Sequence, residues 1–323
     1  MTAKSNPDPS GLRPALFDLQ VNGFAGVDFQ SAEIDAPALH RALAGLHAHR
    51  VHRLLVTLIT DRPERLLRQL DRFEALRARD TLAQEMIVGY HLEGPWLNPA
   101  PGFHGAHPPE LMRKPDPAEL ARLHAAASGR LRLLTVAPEL PGGIELIAAA
   151  RRLGLVVSLG HTDASESDID QAIAAGATLC THLGNGVPAN LPRHDNIIQR
   201  LLARDELTAC FIPDGHHLPP FVLKNLFRAK PAGRVILTTD AMAGAGAGPG
   251  RYTLGRLEVE MRADGIVREP GQPNFAGSSL TLDRGIDNAA RWLGISRPAA
   301  WSLGSTVPAA VFGLELPLIP NRP

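Results

Sequence analysis

Short apolar runs alternate along this chain with stretches of helical periodicity, beginning at Ala15 and continuing almost to the end. The first run, 15–21, is broken by Asn22-Gly23. Helical periodicity over 36–50 then leads to a run at 51–59, 63–79 to 86–92, 116–127 to 131–137, 142–153 to 155–160, and 165–175 to 177–182. A run at 207–213 follows, then a helix at 219–229 and a run at 234–239, with two closing helices at about 280–293 and 297–312. Apolar runs separated by helices predict parallel strands with crossover helices. Eight such units make an α/β protein, a (β/α)8 TIM barrel. A doubly wound open sheet is the alternative, but it gathers its ligand at one switch point and has no need of polar groups at many strand ends. Residues 243–277 interrupt the last unit with a Gly-Ala-rich segment, after which 256–261 and 265–267 predict a β-hairpin over the rim. The expected organisation is a disordered leader at 1–14, a barrel at 15–315 containing the 243–277 insertion, and a tail at 316–323.

Polar residues punctuate the strand ends, and their kind points to chemistry. The third run closes on Glu93 before Gly94-Pro95, the fifth on Gly160-His161, the sixth on Thr181-His182 and the eighth on Asp240. One carboxylate and two imidazoles from three strands are a ligand set for one divalent ion, with positions left open as catalytic zinc requires. Taken singly, a histidine at a strand end is more often a satisfied polar residue than a ligand; the shared rim is what favours Glu93, His161 and His182. Asp240 is followed by Gly and Ala rather than a helix start, so capping explains it poorly. A carboxylate there suits general base and acid work on a water and a leaving amine. Gln20 offers an amide where a second metal would want an imidazole, which predicts a single ion.

Composition narrows the partner. The 323 residues carry 33 Lys plus Arg against 33 Asp plus Glu, and no basic stretch interleaves with aromatics, so nucleic acid is not expected. No apolar run approaches the roughly 20 residues that span a bilayer, and the polar, Pro-rich start reads as neither signal nor transit peptide. Cys180 and Cys210 lie inside predicted strands, as buried thiols of a reducing compartment do. These features predict a cytoplasmic enzyme for a small molecule. His107 on the loop after the third strand, His217 in Asp214-Gly215-His216-His217 and Arg193 after His182 would suit an anionic group such as phosphate; His104 and His216 read as surface residues.

With these residues placed, the chain resembles the N-acetylglucosamine-6-phosphate deacetylase family of the amidohydrolase superfamily. The resemblance rests on Gln20-Val21-Asn22-Gly23, His91-Leu92-Glu93-Gly94-Pro95, Gly160-His161-Thr162, Thr181-His182-Leu183-Gly184-Asn185, Asp214-Gly215-His216-His217, Thr239-Asp240-Ala241 and Ala276-Gly277-Ser278-Ser279-Leu280. It implies Glu93, His161 and His182 as ligands of one zinc-like ion, Asp240 as catalytic acid and base, and His107 as the group that steadies the oxyanion. It also implies substrate contacts at Ala106, Asn185, Gly186, Arg193, His217, Phe275, Ala276 and Gly277, and a homodimer in which the neighbouring subunit completes the phosphate site. The implied reaction is hydrolysis of the acetamide of N-acetylglucosamine 6-phosphate. The alternatives are the galactosamine epimer, an unphosphorylated sugar, or a sugar-phosphate-binding barrel without catalysis. Departures from the family pattern are Gly184 for an aromatic, Gly186-Val187 for Ala-Met, a changed run at 194–200, and a leader and tail too short for the family's β-sandwich.

Overall fold

The computed structural model describes residues 11–271 and 275–321. Eight parallel strands pair in sequence order: Leu16–Val21, Val51–Ile59, Ile87–Glu93, Leu131–Val136, Val156–Leu159, Ala177–Cys180, Thr208–Phe211 and Val235–Leu237. The side-chain alternation of a strand explains the interior. Phe17, Leu19, Leu55, Leu133, Val156, Leu179, Cys210 and Ile236 meet inside the barrel, and Ala309 and Phe312 of the last helix pack onto that layer. Their neighbours in sequence, such as Leu54, Val56, Leu134 and Val157, face outward to the helices in the larger core.

Above the apolar layer lies a polar one. His91 joins Thr57 through Nδ1 at 3.2 Å and Thr135 through Nε2 at 2.8 Å. Thr135 continues to Thr181 at 2.8 Å and Thr181 to Ser158 at 2.6 Å. Burial pushes His91 down to about 4, so a neutral ring sits in a satisfied network directly beneath the strand ends.

The first and eighth strands meet at a seam held by the Val21–Ala241 bridge and by Asn22 N–H donating to Ala241 O at 2.7 Å. Buried Asp18 clasps it: its carboxylate accepts from Thr238 Oγ1 and Thr239 Oγ1, each at 2.7 Å, and from Thr239 N–H at 3.2 Å. Asp18→Ala leaves these donors without their acceptor, so the protein is expected to lose about 2–3 kcal/mol of stability. A shift in the urea midpoint measures it, and an unchanged midpoint would remove the clasp from the account.

Several boundaries differ from the sequence reading. Residues 1–10 of the leader and 322–323 of the tail lie outside the described residues, but Leu12–Pro14 is a strand paired antiparallel with Leu318–Pro320. The Trp301 indole donates to Pro14 O at 2.8 Å and fixes the first of these strands. The closing helix expected at 297–312 is two, Arg297–Leu303 and Thr306–Phe312, because Pro308 lacks an N–H and its ring excludes the carbonyl of Gly304 from a continuous helix. The expected hairpin is a three-stranded sheet, Gly250–Leu254, Leu257–Met261 and Val267–Arg268. Its first strand follows a glycine run that hides it. Gly255, with φ of 62°, takes the left-handed turn between the first two strands.

Candidate active site

Glu93, His161, His182 and Asp240 stand at the carboxyl ends of barrel strands, and three of them stand there at a conformational cost. His161, His182 and Asp240 have φ of 53°, 28° and 53°. Side chains other than glycine seldom adopt such values, and residues that do cluster where function demands a fixed direction. Here the unusual backbone turns three side chains inward over the barrel mouth.

The result is a triangle of donor atoms. His182 Nε2 lies 3.1 Å from Glu93 Oε1, His161 Nε2 lies 3.4 Å from the same oxygen, and the two Nε2 atoms are 3.2 Å apart. Ligands of a tetrahedral ion with bonds of about 2.0–2.1 Å sit roughly 3.3 Å from one another, so the residues present fit one such ion. His161 Nδ1 donates to Phe103 O at 2.7 Å, which orients its Nε2 toward the triangle. His182 Nδ1 is buried without a hydrogen-bond partner. Among the described residues, Glu93, His161 and His182 are the group close enough to share a metal. Burial favours neutral forms, yet the hydrogen bonds from His161 and His182 hold Glu93 well below the ordinary carboxylate range. Burial likewise opposes a charge on His182, but Glu93 outweighs it and raises that histidine.

Glycine makes room for this arrangement. A Cβ on Gly186 would stand 2.9 Å from His161 Nδ1, and one on Gly105 would stand 2.8 Å from His161 Cε1. Glycine at position 186 therefore goes with the packing of His161.

Asp240 is held beside the triangle by two amides. Its Oδ1 accepts from Gln20 Nε2 at 2.9 Å and from Asn22 Nδ2 at 2.6 Å, and the same Gln20 nitrogen donates to Glu93 Oε2 at 3.0 Å. Gln20 thus fills the space between the two carboxylates. Burial, followed by the charge of Glu93, pushes Asp240 up to about 7, near where a group exchanging protons at neutral pH works best. His107 faces the triangle from the loop after the third strand. Thr60 N–H donates to its Nδ1 at 3.4 Å, which assigns the proton to Nε2, 3.9 Å from Glu93 Oε2. Burial pushes this imidazole down to about 3, so it is a neutral N–H donor.

One cavity of about 530 Å³ joins these groups, a size suited to a small polar ligand. Asn22, Glu93, Ala106, His107, His161 and His182 line it, as do Asn185, Gly186, His217, Asp240, Phe275 and Gly277. His217 Nδ1 pairs with Asp214 Oδ2 at 2.6 Å and its ring packs 5.0 Å from that of Phe275. Two candidates stand apart: Arg193 is exposed on its loop, and Ala276 is buried behind the wall; neither lines the cavity. His104, read from the sequence as a surface residue, does line it, because the loop carrying His107 folds back over the mouth. Sequence reasoning passed over Asn22 as a partner of Asp240, although it lies in a quoted motif. It also missed Asp214 as the anchor of His217, and Ile59 and Leu254 as apolar wall. No signal in one chain marks the last two.

No protein-family model matches the chain. It is 33% identical over 95% of its length to the N-acetylgalactosamine-6-phosphate deacetylase of Escherichia coli O157:H7, covering 80% of that protein. It is 31% identical, again over 95%, to the N-acetylglucosamine-6-phosphate deacetylase of Vibrio furnissii, covering 75% of it. A solved structure of a mutant N-acetyl-D-glucosamine-6-phosphate deacetylase from Mycobacterium smegmatis, in complex with N-acetyl-D-glucosamine-6-phosphate, superposes with a TM-score of 0.86. That match has 34% identity and covers 96% of this chain and 80% of the other. Identity above 30% across nearly the whole chain places it in the N-acetylglucosamine-6-phosphate deacetylase family of amidohydrolases.

Proposed function

We propose that this protein hydrolyses the acetamide of N-acetylglucosamine 6-phosphate, giving glucosamine 6-phosphate and acetate. The observation that carries the reading is the convergence of Glu93, His161 and His182 on one point of a cavity that also holds Asp240 and His107. A divalent ion at that point, zinc by the donor set, supplies Lewis-acid polarisation of the carbonyl and a more acidic water.

The side chains do the rest. Asp240, anchored by Gln20 and Asn22, takes the proton of the attacking water and returns it to the departing nitrogen. His107 donates its Nε2–H to the carbonyl oxygen as negative charge builds there, the electrostatic term that dominates acyl transfer. Asn185, Gly186 and His217 face the cavity where they can hold the sugar and its phosphate, and Phe275 and Gly277 border the acetamide. Arg193, exposed and away from its own cavity, suits a phosphate site completed by a second copy; a homodimer is part of the proposal. So is a cytoplasmic location, in keeping with the free, buried thiols of Cys180 and Cys210. Among the described residues, no helix is long and apolar enough to cross a membrane.

Acetate release decides the matter. With zinc supplied, kcat/KM is expected to be highest for N-acetylglucosamine 6-phosphate, lower for its galactosamine epimer and lowest for the unphosphorylated sugar. The Escherichia coli relative, named for the galactosamine compound, makes that epimer the necessary comparison. No acetate from any of the three by metal-loaded protein would leave a binding barrel in place of an enzyme.

A further inference from the structure

We infer that Leu254, with Ile59 and Ala106, forms a partition that limits the acyl group to the size of acetyl; the inference rests on the deacetylase reading. The carbonyl under attack lies between the donor triangle and His107 Nε2. Its carbon carries two further substituents, the nitrogen that leads to the sugar and the acyl chain. The sugar needs polar partners, and Asn185 and His217 offer them in the cavity lining. The apolar side adjoins Glu93 and His107 directly. Ile59 pairs in register with Glu93, its neighbour Thr60 bonds His107 Nδ1 at 3.0 Å, and Ala106 precedes His107 in the chain. Leu254 completes the patch from the inserted sheet, and all three belong to one apolar cluster.

The far side of the patch is what gives it a limiting role. Ile59, Ala106 and Leu254 also line a second cavity of about 30 Å³, bordered beyond them by Asp61, Pro108 and Leu257. The three side chains therefore separate the main cavity from a space about as large as one water molecule. The strand bearing Leu254 is pinned in place. Thr253 Oγ1 and Gly255 N–H donate to Asp28 at 3.0 and 2.9 Å, and Arg256 pairs with Asp61 at 2.9 Å. A wall fixed in this way cannot retreat from a longer chain, whereas shortening Leu254 would join the two spaces.

The test compares acetyl, propionyl and butyryl amides of glucosamine 6-phosphate. One methylene in an apolar pocket is worth roughly 10–200-fold in kcat/KM, so the wild type should favour acetyl by about that factor. Leu254→Ala should raise the propionyl-to-acetyl ratio about 10-fold or more, and Leu254→Val, which disturbs folding less, should raise it by a smaller factor. Leu257→Ala sits on the same sheet but borders only the second cavity, so the ratio should stay at its wild-type value. The inference is overturned if Leu254→Ala and Leu254→Val, both with full metal content, keep the wild-type ratio. It is also overturned if Leu257→Ala moves the ratio as far, since loosening of the sheet would then be the cause. Acetate release by the wild type separates the two levels: its absence sinks the deacetylase reading, whereas its presence with an unmoved ratio sinks the partition alone.

Discussion

Asp240→Asn lowers kcat by roughly 10³-fold, within the range removed with a general acid and base, while KM and bound metal stay close to wild type. The substitution is nearly isosteric, and an amide oxygen in the place of Oδ1 can still accept from Gln20 and Asn22, which stand 2.9 and 2.6 Å from that oxygen in the native protein. What disappears is the ability to take a proton. Loss confined to kcat is the signature of an interaction made on the way to the transition state, whereas a structural role would move KM and metal content as well. The pH profile gives an independent check. The base works when ionised, so kcat/KM falls as pH drops through the Asp240 pKa. Burial and Glu93 push that pKa up to about 7 without a cation, and a bound cation, acting in the opposite sense, sets the acidic limb below this value. The variant should lack the limb. Undiminished acetate release in Asp240→Asn would move the proton transfer to another group.

The barrel was legible because strands covered on both faces read as unbroken apolar runs. Each run stopped at a residue whose polarity made no sense within it, and Glu93, His161, His182 and Asp240 were found in that way. Features that depend on a distant partner were not legible. Asp18 lies within an apolar run, and nothing local shows that Thr238 and Thr239, 220 and 221 residues further along the chain, satisfy its carboxylate. The same holds for His91, whose buried ring nitrogens are satisfied by Thr57 and Thr135. Short elements escaped for another reason. Helix Ile197–Leu202 and strand Gly250–Leu254 span too few residues to establish a period, and each follows a segment rich in glycine or proline. Arg193 was placed by its position after His182 and by resemblance, and neither fixes the direction in which a side chain points.

Glu93→Gln should reduce bound metal far below one ion per chain and carry acetate release down to background with it. The carboxylate is the anionic member of the triangle, and its Oε1 sits 3.1 and 3.4 Å from two ring nitrogens. A neutral amide of the same shape keeps the packing but removes the charge that binds a hard or borderline cation, and amides are poor zinc ligands. Gln20 provides the comparison that separates ligand from neighbour. It touches Glu93 Oε2 and Asp240 Oδ1 and orients both, so Gln20→Ala should weaken metal binding by the roughly 10–100-fold typical of an outer partner. Metal analysis and competition with a chelator rank the two variants without reference to turnover. If Glu93→Gln retains a full equivalent of metal at wild-type affinity, the ion is held elsewhere. The triangle of Glu93, His161 and His182 would then be only a buried hydrogen-bond network.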